Sequence, residues 1–217
     1  PRWTDRDGDN IRSIEETHDW PVLPNDPLYL DSNSFADNPP ESPMFEHAGT
    51  DVLKFNIKDN DGNSRVEEVT LTFSIAKLSA REGHGYDPKK HKQGIGGTQP
   101  HGLHAKNNIG LSIVRARREL ELDDGYSVAV RNAPWERWWG AEVSFEPGMD
   151  EVLRVTNNKQ HAQALNDVVK KEWEDFGWDD DESLHEIKER LEWEDFSTFV
   201  AMTIKEKIEK NLAILRN

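Results

Sequence analysis

The hydrophobic period of the chain changes near Gln160, and this change restricts the fold more than any other feature of the sequence. Before Gln160, several stretches alternate apolar and polar residues, as half-buried strands do. After it, apolar residues recur every three or four positions, as they do on amphipathic helices. We therefore predict an α+β fold, with a sheet within residues 51–157 that is followed by three helices.

Residues 51–77 carry the clearest strand pattern. Apolar residues alternate on both sides of Asp61-Gly62, which is typical of a β-hairpin with a tight turn. The acidic residues around Asp61 also have the spacing of a calcium loop. However, the glutamate that an EF-hand needs is missing at the right distance, so a turn is favoured. Residues 108–122 and 136–147 are predicted to contain further strands.

Three helices are predicted in the C-terminal part. Residues 165–176 place their apolar side chains on one helical face. The sequence Ser183-Leu-His-Glu186 is a capping box and predicts the start of a second helix. An apolar stripe over 200–215 predicts the third. The sequence EWEDF occurs twice, at 172–176 and 192–196, and two copies are too few for a repeat architecture.

The composition excludes several classes of protein. The 217 residues include no cysteine, so disulfides and cysteine-based metal sites are ruled out. No apolar run approaches the roughly 20 residues of a membrane helix, and we expect a cytoplasmic protein with no membrane partner. The net charge of −15 argues against a surface that lies wholly on nucleic acid, although a local basic face could still bind it. Because the chain begins with Pro1, we expect a piece of a longer protein.

Three regions follow from these patterns. Residues 1–50 are rich in Pro, Asp and Asn and are predicted to be an extended arm with loops. Residues 51–160 form the predicted α+β domain. Residues 161–217 form the predicted helical segment.

A loop rich in Gly, Lys and His is expected at 82–103. With few apolar anchors, it is predicted to be mobile because little would offset the entropy of ordering it. Its glycines lack the pattern of a phosphate-binding P-loop. His101 and His104 have a spacing that could hold a metal ion, but without cysteines or suitably spaced acids we predict no metal site.

Three segments of the chain resemble a known family. They are HAKNNIGLSIVRARRELEL (104–122), ERWWGAEVSFEPGMDEVLRVTNNKQ (136–160) and NDPLYL (25–30). Together they resemble the region that follows the ATP-binding domain in bacterial GHKL-type, or histidine-kinase-like, ATPases, the superfamily of gyrase B, MutL and the heat-shock chaperone ATPases. The resemblance implies a transducer domain with a mixed sheet and a crossover helix, similar to a ribosomal-protein domain.

The nucleotide pocket of that superfamily is not found in this sequence. Its Glu-x-x-x-Asn helix and Asp-x-Gly-x-Gly turn have no counterparts here, and GIGGTQ (94–99) lacks the partners of a glycine-rich lid. The resemblance therefore implies that ATP and Mg²⁺ are cofactors of the full-length protein and that this fragment alone binds neither and is inactive. The implied partner is an adjacent N-terminal ATP-binding domain. A homodimer and a DNA or protein effector are further partners that the resemblance allows.

The resemblance also assigns a role to Lys159. In that superfamily a lysine after a strand and an Asn-containing turn reaches the γ-phosphate of the neighbouring domain, and Asn157, Asn158 and Arg115 would join Lys159 in contacting the nucleotide. A long, flexible ammonium side chain suits this role. From the residues alone, Asn157 or Asn158 could instead cap a helix beside a solvated lysine. In either role, the Lys159 ammonium is expected to be exposed, and the phosphate role predicts that no carboxylate lies within salt-bridge reach of it.

Two other groups of residues have alternative interpretations. Arg115 and Arg117 are expected on one strand face and Arg118 on the other. They could contact phosphate or nucleic acid, but pairing with Glu119, Glu121 and the local acids is favoured.

Trp138 and Trp139 form the second group. Their rings could stack on nucleic-acid bases. Packing of the sheet against a helix is favoured, because large aromatic side chains dominate the cores of small domains.

Three functions are consistent with the sequence. The leading hypothesis is a transducer fragment that couples the nucleotide state of an adjacent domain to a partner or to DNA. The alternative is an acidic, Trp-rich module that binds a basic protein and has no link to ATP. A third hypothesis is a metal-dependent enzyme built on the histidines of 84–104.

Overall fold

A five-stranded mixed sheet forms the centre of the computed structural model. The model describes residues 26–30, 39–58, 62–127, 133–178 and 182–216, together with the backbone of a short antiparallel pair, β1 (Trp3–Thr4) and β2 (Ser13–Ile14). The strands of the sheet lie in the order β3-β4-β7-β5-β6. Every neighbouring pair is antiparallel except β5 and β7, which are parallel. The five strands are β3 (Phe45–Lys58), β4 (Ser64–Ala76), β5 (Leu111–Arg115), β6 (Arg118–Asp123) and β7 (Trp139–Phe145).

The predicted hairpin is confirmed as β3 and β4. The two strands pair from Phe45 opposite Ala76 to Lys58 opposite Ser64. Gly62 follows the turn with φ of 83°, a left-handed conformation that favours glycine. Residues 59–61, where the calcium alternative was located, lie outside the described residues. Strand β3 begins inside the segment that was predicted as an arm.

The turn between β5 and β6 contradicts the predicted placement of the arginines. Arg115 pairs with Arg118, and the two residues between them, Ala116 and Arg117, have φ of 48° and 66°. Two left-handed residues in a row make a tight two-residue hairpin, which usually contains Asn or Gly. Arg115 and Arg117 therefore do not share a strand face, because Arg117 belongs to the turn.

The segment 82–103 has a defined backbone path with hydrogen bonds of its own, and its mobility stays a prediction. It lies between helix α1 (Leu78–Glu82) and helix α2 (Pro100–Asn107). A β-carbon on Gly96 or Gly102 would collide with the backbone of Ala80 or of Gly96, so these glycines allow backbone to pack directly on backbone. Gln99 and His84 exchange two hydrogen bonds, of 2.8 and 2.9 Å. Close backbone packing thus replaces the apolar anchors that the sequence lacks.

Helices α1 and α2 stay at one end of the sheet. They connect β4 to β5, which run antiparallel to each other on either side of β7. Ile75 lies opposite Trp139 and Leu111 lies opposite Ala141, so the connection leaves and re-enters the sheet at the same end. This path differs from a crossover helix that runs along a sheet face between parallel strands. A second small core of buried residues lies at this end, formed by Tyr29, Met44, Phe45, Ala76, Ala80 and Ala105.

The C-terminal segment is helical, as predicted, but its first helix is shorter than expected. Helix α3 spans Gln163–Val168, and a separate 3₁₀ turn spans Trp173–Phe176. The break occurs because Glu172 and Asp175 form a capping box that starts a new turn. The capping box of Ser183 is confirmed at the start of α4 (Leu184–Glu194). Helix α5 (Phe196–Leu215) is the third predicted helix.

The three helices pack on one face of the sheet, and the α+β class with a helical C-terminal segment is confirmed. Val200, Ile204, Ile208 and Leu212 of α5 are almost fully buried in one continuous core with Leu71 and Val143 of the sheet. Polar contacts also fix α5, since Lys207 lies 3.0 Å from Asp51 of β3. No helix in the described part of the chain is long and apolar enough to cross a membrane.

Candidate functional site

Two predicted site residues, Arg115 and Lys159, meet at a carboxylate that the sequence did not single out. Asp150 accepts hydrogen bonds from Arg115 Nε at 2.5 Å and from Arg115 Nη2 at 2.8 Å. Its Oδ2 atom also accepts a hydrogen bond from Lys159 Nζ at 2.8 Å. The Arg115 and Asp150 side chains are about one-fifth exposed, and that of Lys159 is 41% exposed. The result is a surface cluster of two cations on one anion, which we call the Asp150 cluster.

Asp150 is positioned by a loop with several anchors. Met149 and Leu153 on either side of it are fully buried, and Leu153 N–H donates to Met149 O at 2.8 Å. The Asp150 carbonyl accepts a hydrogen bond from Val155 N–H at 2.8 Å. Ser197 of α5 donates to the Val152 carbonyl at 2.6 Å. The carboxylate is therefore held on a rigid base, since buried side chains and backbone hydrogen bonds fix the loop from inside.

Lys159 is positioned by a tight turn. The turn is closed by a β-bridge between Val155 and Ala162 and by a hydrogen bond of 2.8 Å from Lys159 N–H to Thr156 O. Lys159 itself has φ of 53°, in the left-handed region. Asn158 stabilises the turn by accepting from Thr156 Oγ1 at 2.6 Å.

The prediction that Asn157 or Asn158 caps a helix is wrong. Helix α3 begins only at Gln163, and its N-cap residue, Ala162, makes no side-chain cap. The turn separates the asparagines from the helix, because the chain first returns to pair with Val155.

The prediction for the surroundings of Lys159 is half confirmed. Its side chain is partly exposed at a turn, as expected, but the expectation that no carboxylate lies within reach is wrong. Asp150 is nine residues away in sequence and becomes a neighbour only because the 150–159 segment folds back on itself. The signal for it was the GMDEV sequence (148–152), in which two acids lie between the apolar Met149 and Val152.

The electrostatics of the cluster favour the charged forms of Asp150 and Arg115. Burial acts to raise the pKa of Asp150, but the hydrogen bonds from Arg115 and Lys159 outweigh it and lower that pKa below its ordinary value. The hydrogen bond to Asp150 raises the pKa of Arg115, and Glu146 adds to this effect at longer range. Three ionised groups therefore lie together, with one positive charge in excess.

The cluster has hydrogen-bond donors left over. A guanidinium has five N–H groups and an ammonium has three, and Asp150 takes two of the first and one of the second. Within the described residues, no other acceptor contacts either cation. The arrangement can therefore bind a further anion, and Lys159, as the more exposed cation, is the more accessible of the two.

The other arginines of the segment lie apart from Asp150. Arg117 and Arg118 line a cavity of about 500 Å³ on the sheet face opposite the helices. Glu119 and Glu142 lie in the same cavity, where burial first and Glu119 second raise the pKa of Glu142. Arg115 pairs with a carboxylate, as favoured, but its partner is Asp150 and not Glu119 or Glu121.

The two histidines with metal-ligand spacing face different partners. His101 Nε2 lies 2.9 Å from the Ala80 carbonyl, and His104 Nδ1 lies 3.0 Å from the Tyr29 hydroxyl. Over the residues that the structure describes, no group of three or more His, Cys, Asp or Glu side chains could hold a metal ion. The structure thus gives no support to the hypothesis of a metal-dependent enzyme.

Both adjacent tryptophans take structural positions, as favoured. Trp139 is 5% exposed in the main core, and its Nε1–H donates to the buried Glu136 at 3.1 Å. Trp138 packs against the second core beside His101. The buried ring of Trp139 cannot stack on nucleic-acid bases, and that of Trp138 is partly buried.

Comparison with protein-family models, curated proteins and solved structures finds no significant match to this chain. The Asp150 cluster is therefore interpreted from its own geometry and from the sequence motifs around it.

Proposed function

We propose that this chain is the transducer region of a GHKL-type ATPase, in which Lys159 contacts the terminal phosphate of a nucleotide that an adjacent ATP-binding domain holds. One observation carries the proposal. Lys159 is a turn residue in the left-handed conformation, and its ammonium is partly exposed. It belongs to a cluster that has one positive charge in excess and N–H donors without an acceptor among the described residues. The segments 104–122, 136–160, which ends with the TNNKQ turn, and 25–30 are those that resemble the family.

The cluster fits a phosphate group but not a whole nucleotide. Lys159 and Arg115 offer N–H donors and charge, whereas the described residues near them offer no set of carboxylates for Mg²⁺. Asp150 also repels a phosphate that comes close to it. A phosphate is therefore expected to compete with Asp150 for Lys159, and the metal and the base would be held by the adjacent domain.

The proposal is tested on the full-length protein that includes the adjacent domain. Lys159→Ala should lower ATP turnover by about 10- to 1,000-fold, as expected when one stabiliser of transition-state charge is lost. Its stability should change by less than about 1 kcal/mol, because the ion pair with Asp150 is partly exposed. ATP affinity should fall less than turnover, since most nucleotide contacts belong to the adjacent domain.

Lys54→Ala is the matched control. Lys54 is also a partly exposed lysine, paired at 2.7 Å with Glu68, but it lies on β3. Its removal should leave turnover unchanged. Equal turnover in the wild type and in both variants would exclude a role for Lys159 in catalysis.

A further inference from the structure

A cavity of about 530 Å³ opens between the end of β3, the loop that carries Asp150 and the junction of α4 and α5. Its walls include the apolar side chains of Ile57, Val152, Trp193 and Phe196. This volume is in the range of sites that hold a few side chains of a ligand or peptide. We call this cavity, with the Trp193 ring at its edge, the Trp193 groove.

Trp193 has no role in the core that explains its identity. It is 82% exposed, the highest value among the large hydrophobic residues that the structure describes as exposed. A single exposed apolar residue is ordinary, but a tryptophan beside an apolar cavity offers a large, rigid surface that a partner can bury. Tryptophan is also among the residues that most often dominate the energy of protein interfaces.

A row of acids borders the groove on the side of α4. Residues 182–194 contain five glutamates, one lysine and one arginine. The arginine, Arg190, is already paired with Glu182 at 2.9 Å and stacked on the Trp178 ring at 4.2 Å. The lysine, Lys188, is directed to Glu206 at 2.7 Å. Neither cation therefore pairs with Glu189, whose side chain is 65% exposed and lies 3.5 Å from His185 Nε2.

The groove itself adds more negative charge. Glu151 and Glu192 lie at the cavity with Lys58 as its one cation among the described residues. An acidic surface of this kind repels the phosphates of nucleic acid and of anionic lipids. It attracts Lys and Arg side chains, so the charge selects a basic protein segment over the other classes of macromolecule.

We propose that the Trp193 groove binds a basic segment of a partner protein, which places an apolar side chain in the cavity against Trp193 and its Lys or Arg side chains along the glutamates of α4. The proposal does not depend on the nucleotide-linked function. The groove is nevertheless connected to the Asp150 cluster, because Glu151 and Val152 of the groove directly follow Asp150 in the same loop. A partner in the groove contacts the segment that holds the Asp150 cluster.

The test uses a phage-displayed library of random 16-residue peptides, selected on the immobilised chain. The peptides enriched should carry a net positive charge and an aromatic or leucine anchor. A synthetic peptide of the enriched consensus is then titrated against purified variants by fluorescence anisotropy at about 0.15 M salt. Trp193→Ala should weaken binding by about 10-fold or more, as at an interface hot spot. Glu189→Lys should weaken it by about 3- to 10-fold through charge repulsion.

Two variants serve as matched controls. Trp135→Ala removes another exposed tryptophan, which is 54% exposed and does not line the groove. Glu46→Lys makes the same charge change at the opposite end of β3. Both should bind the peptide within about two-fold of the wild type, because neither touches the groove.

Several results would overturn the proposal. One is a selection that enriches no peptide or only acidic peptides. Another is equal affinity of the peptide for the Trp193→Ala and Trp135→Ala variants. A dimer in sedimentation velocity that Trp193→Ala converts to a monomer would show instead that a second copy occupies the groove. Binding of single-stranded DNA that depends on Trp193 would also overturn it.

Discussion

The two copies of EWEDF have the same sequence and opposite environments. In the first copy, residues 172–176, Trp173 is 7% exposed, whereas in the second copy, residues 192–196, Trp193 is 82% exposed. The first copy forms a short 3₁₀ turn between α3 and α4, and the second contains the end of α4 and the start of α5.

The difference arises from the residues that surround each tryptophan. Trp173 Nε1–H donates to Glu206 at 3.0 Å, and Lys188 lies over the ring at 4.6 Å. In the second copy Phe196 is partly buried, with its ring centroid 6.1 Å from that of Phe199, whereas Trp193 lies on the solvent side of α4. Five identical residues therefore do not determine burial. Burial is determined by the rotation of the helix or turn that contains them, because this rotation sets which side chain faces the core.

The largest expected effect is on the free energy of unfolding. Trp173→Ala should lower it by about 3–5 kcal/mol, because a buried aromatic side chain and its contacts are lost. Trp193→Ala should change it by less than about 0.5 kcal/mol, as at an ordinary surface position. Urea unfolding of both variants measures the difference. Equal losses in the two variants would contradict the burial that distinguishes the copies.

A smaller effect is expected at the aspartates of the two copies. Asp195 caps α5, where its carboxylate accepts from Thr198 N–H at 3.1 Å and Thr198 Oγ1 at 2.7 Å. Asp195→Ala should lower the free energy of unfolding by about 1 kcal/mol, the usual cost of a lost N-cap. Asp175 accepts from Glu172 N–H at 2.8 Å at the start of a turn of only four residues.

Asp175→Ala serves as the comparison within the first copy. It should cost clearly less than Asp195→Ala, because less helix depends on it. Thermal unfolding of the two variants ranks them, and a larger loss for Asp175→Ala would reverse this ranking.

The smallest expected effect is a pH dependence at the contact of the first copy with Glu206. The hydrogen bond from Lys188 lowers the pKa of Glu206, and that from Trp173 adds to it. A depressed carboxyl pKa contributes stability above the unfolded pKa of about 4.3, and the contribution disappears as the pH falls through the folded pKa. The wild type should therefore exceed Glu206→Gln by less than about 1 kcal/mol at pH 7, and the gap should close below about pH 4. A gap that persists unchanged at pH 3 would assign it to packing instead of charge.

The parts of the fold that local patterns encode could be predicted. The β3–β4 hairpin follows from the alternation of apolar and polar residues around a glycine turn. The start of α4 follows from the Ser183 capping box, and α5 follows from the apolar stripe of 200–215. These features depend on residues within a few positions of one another. Periodicity and capping describe such interactions well.

The remaining features depend on contacts that local sequence does not contain. The turn at Ala116 and Arg117 has no Asn or Gly to announce it, and pairing of the flanking strands imposes its conformation. The backbone path of 82–103 depends on glycines that pack against backbone distant in sequence, as Gly96 does against Ala80. The sequence correctly indicated Lys159 as a partly exposed turn residue. It did not indicate Asp150, because the two side chains become neighbours only when the 150–159 segment folds back on itself.

The position of α5 has a consequence for the synthesis of the protein. This helix is made after the whole sheet, yet its buried side chains, including Ile204 and Ile208, cover the apolar face of that sheet. Its contacts also span long stretches of chain, as between Asn211 and Asp51. At about 5–20 residues per second, a nascent chain leaves that face uncovered for seconds before α5 emerges. We therefore expect a chain that is released before Phe196 is made to aggregate through this uncovered face.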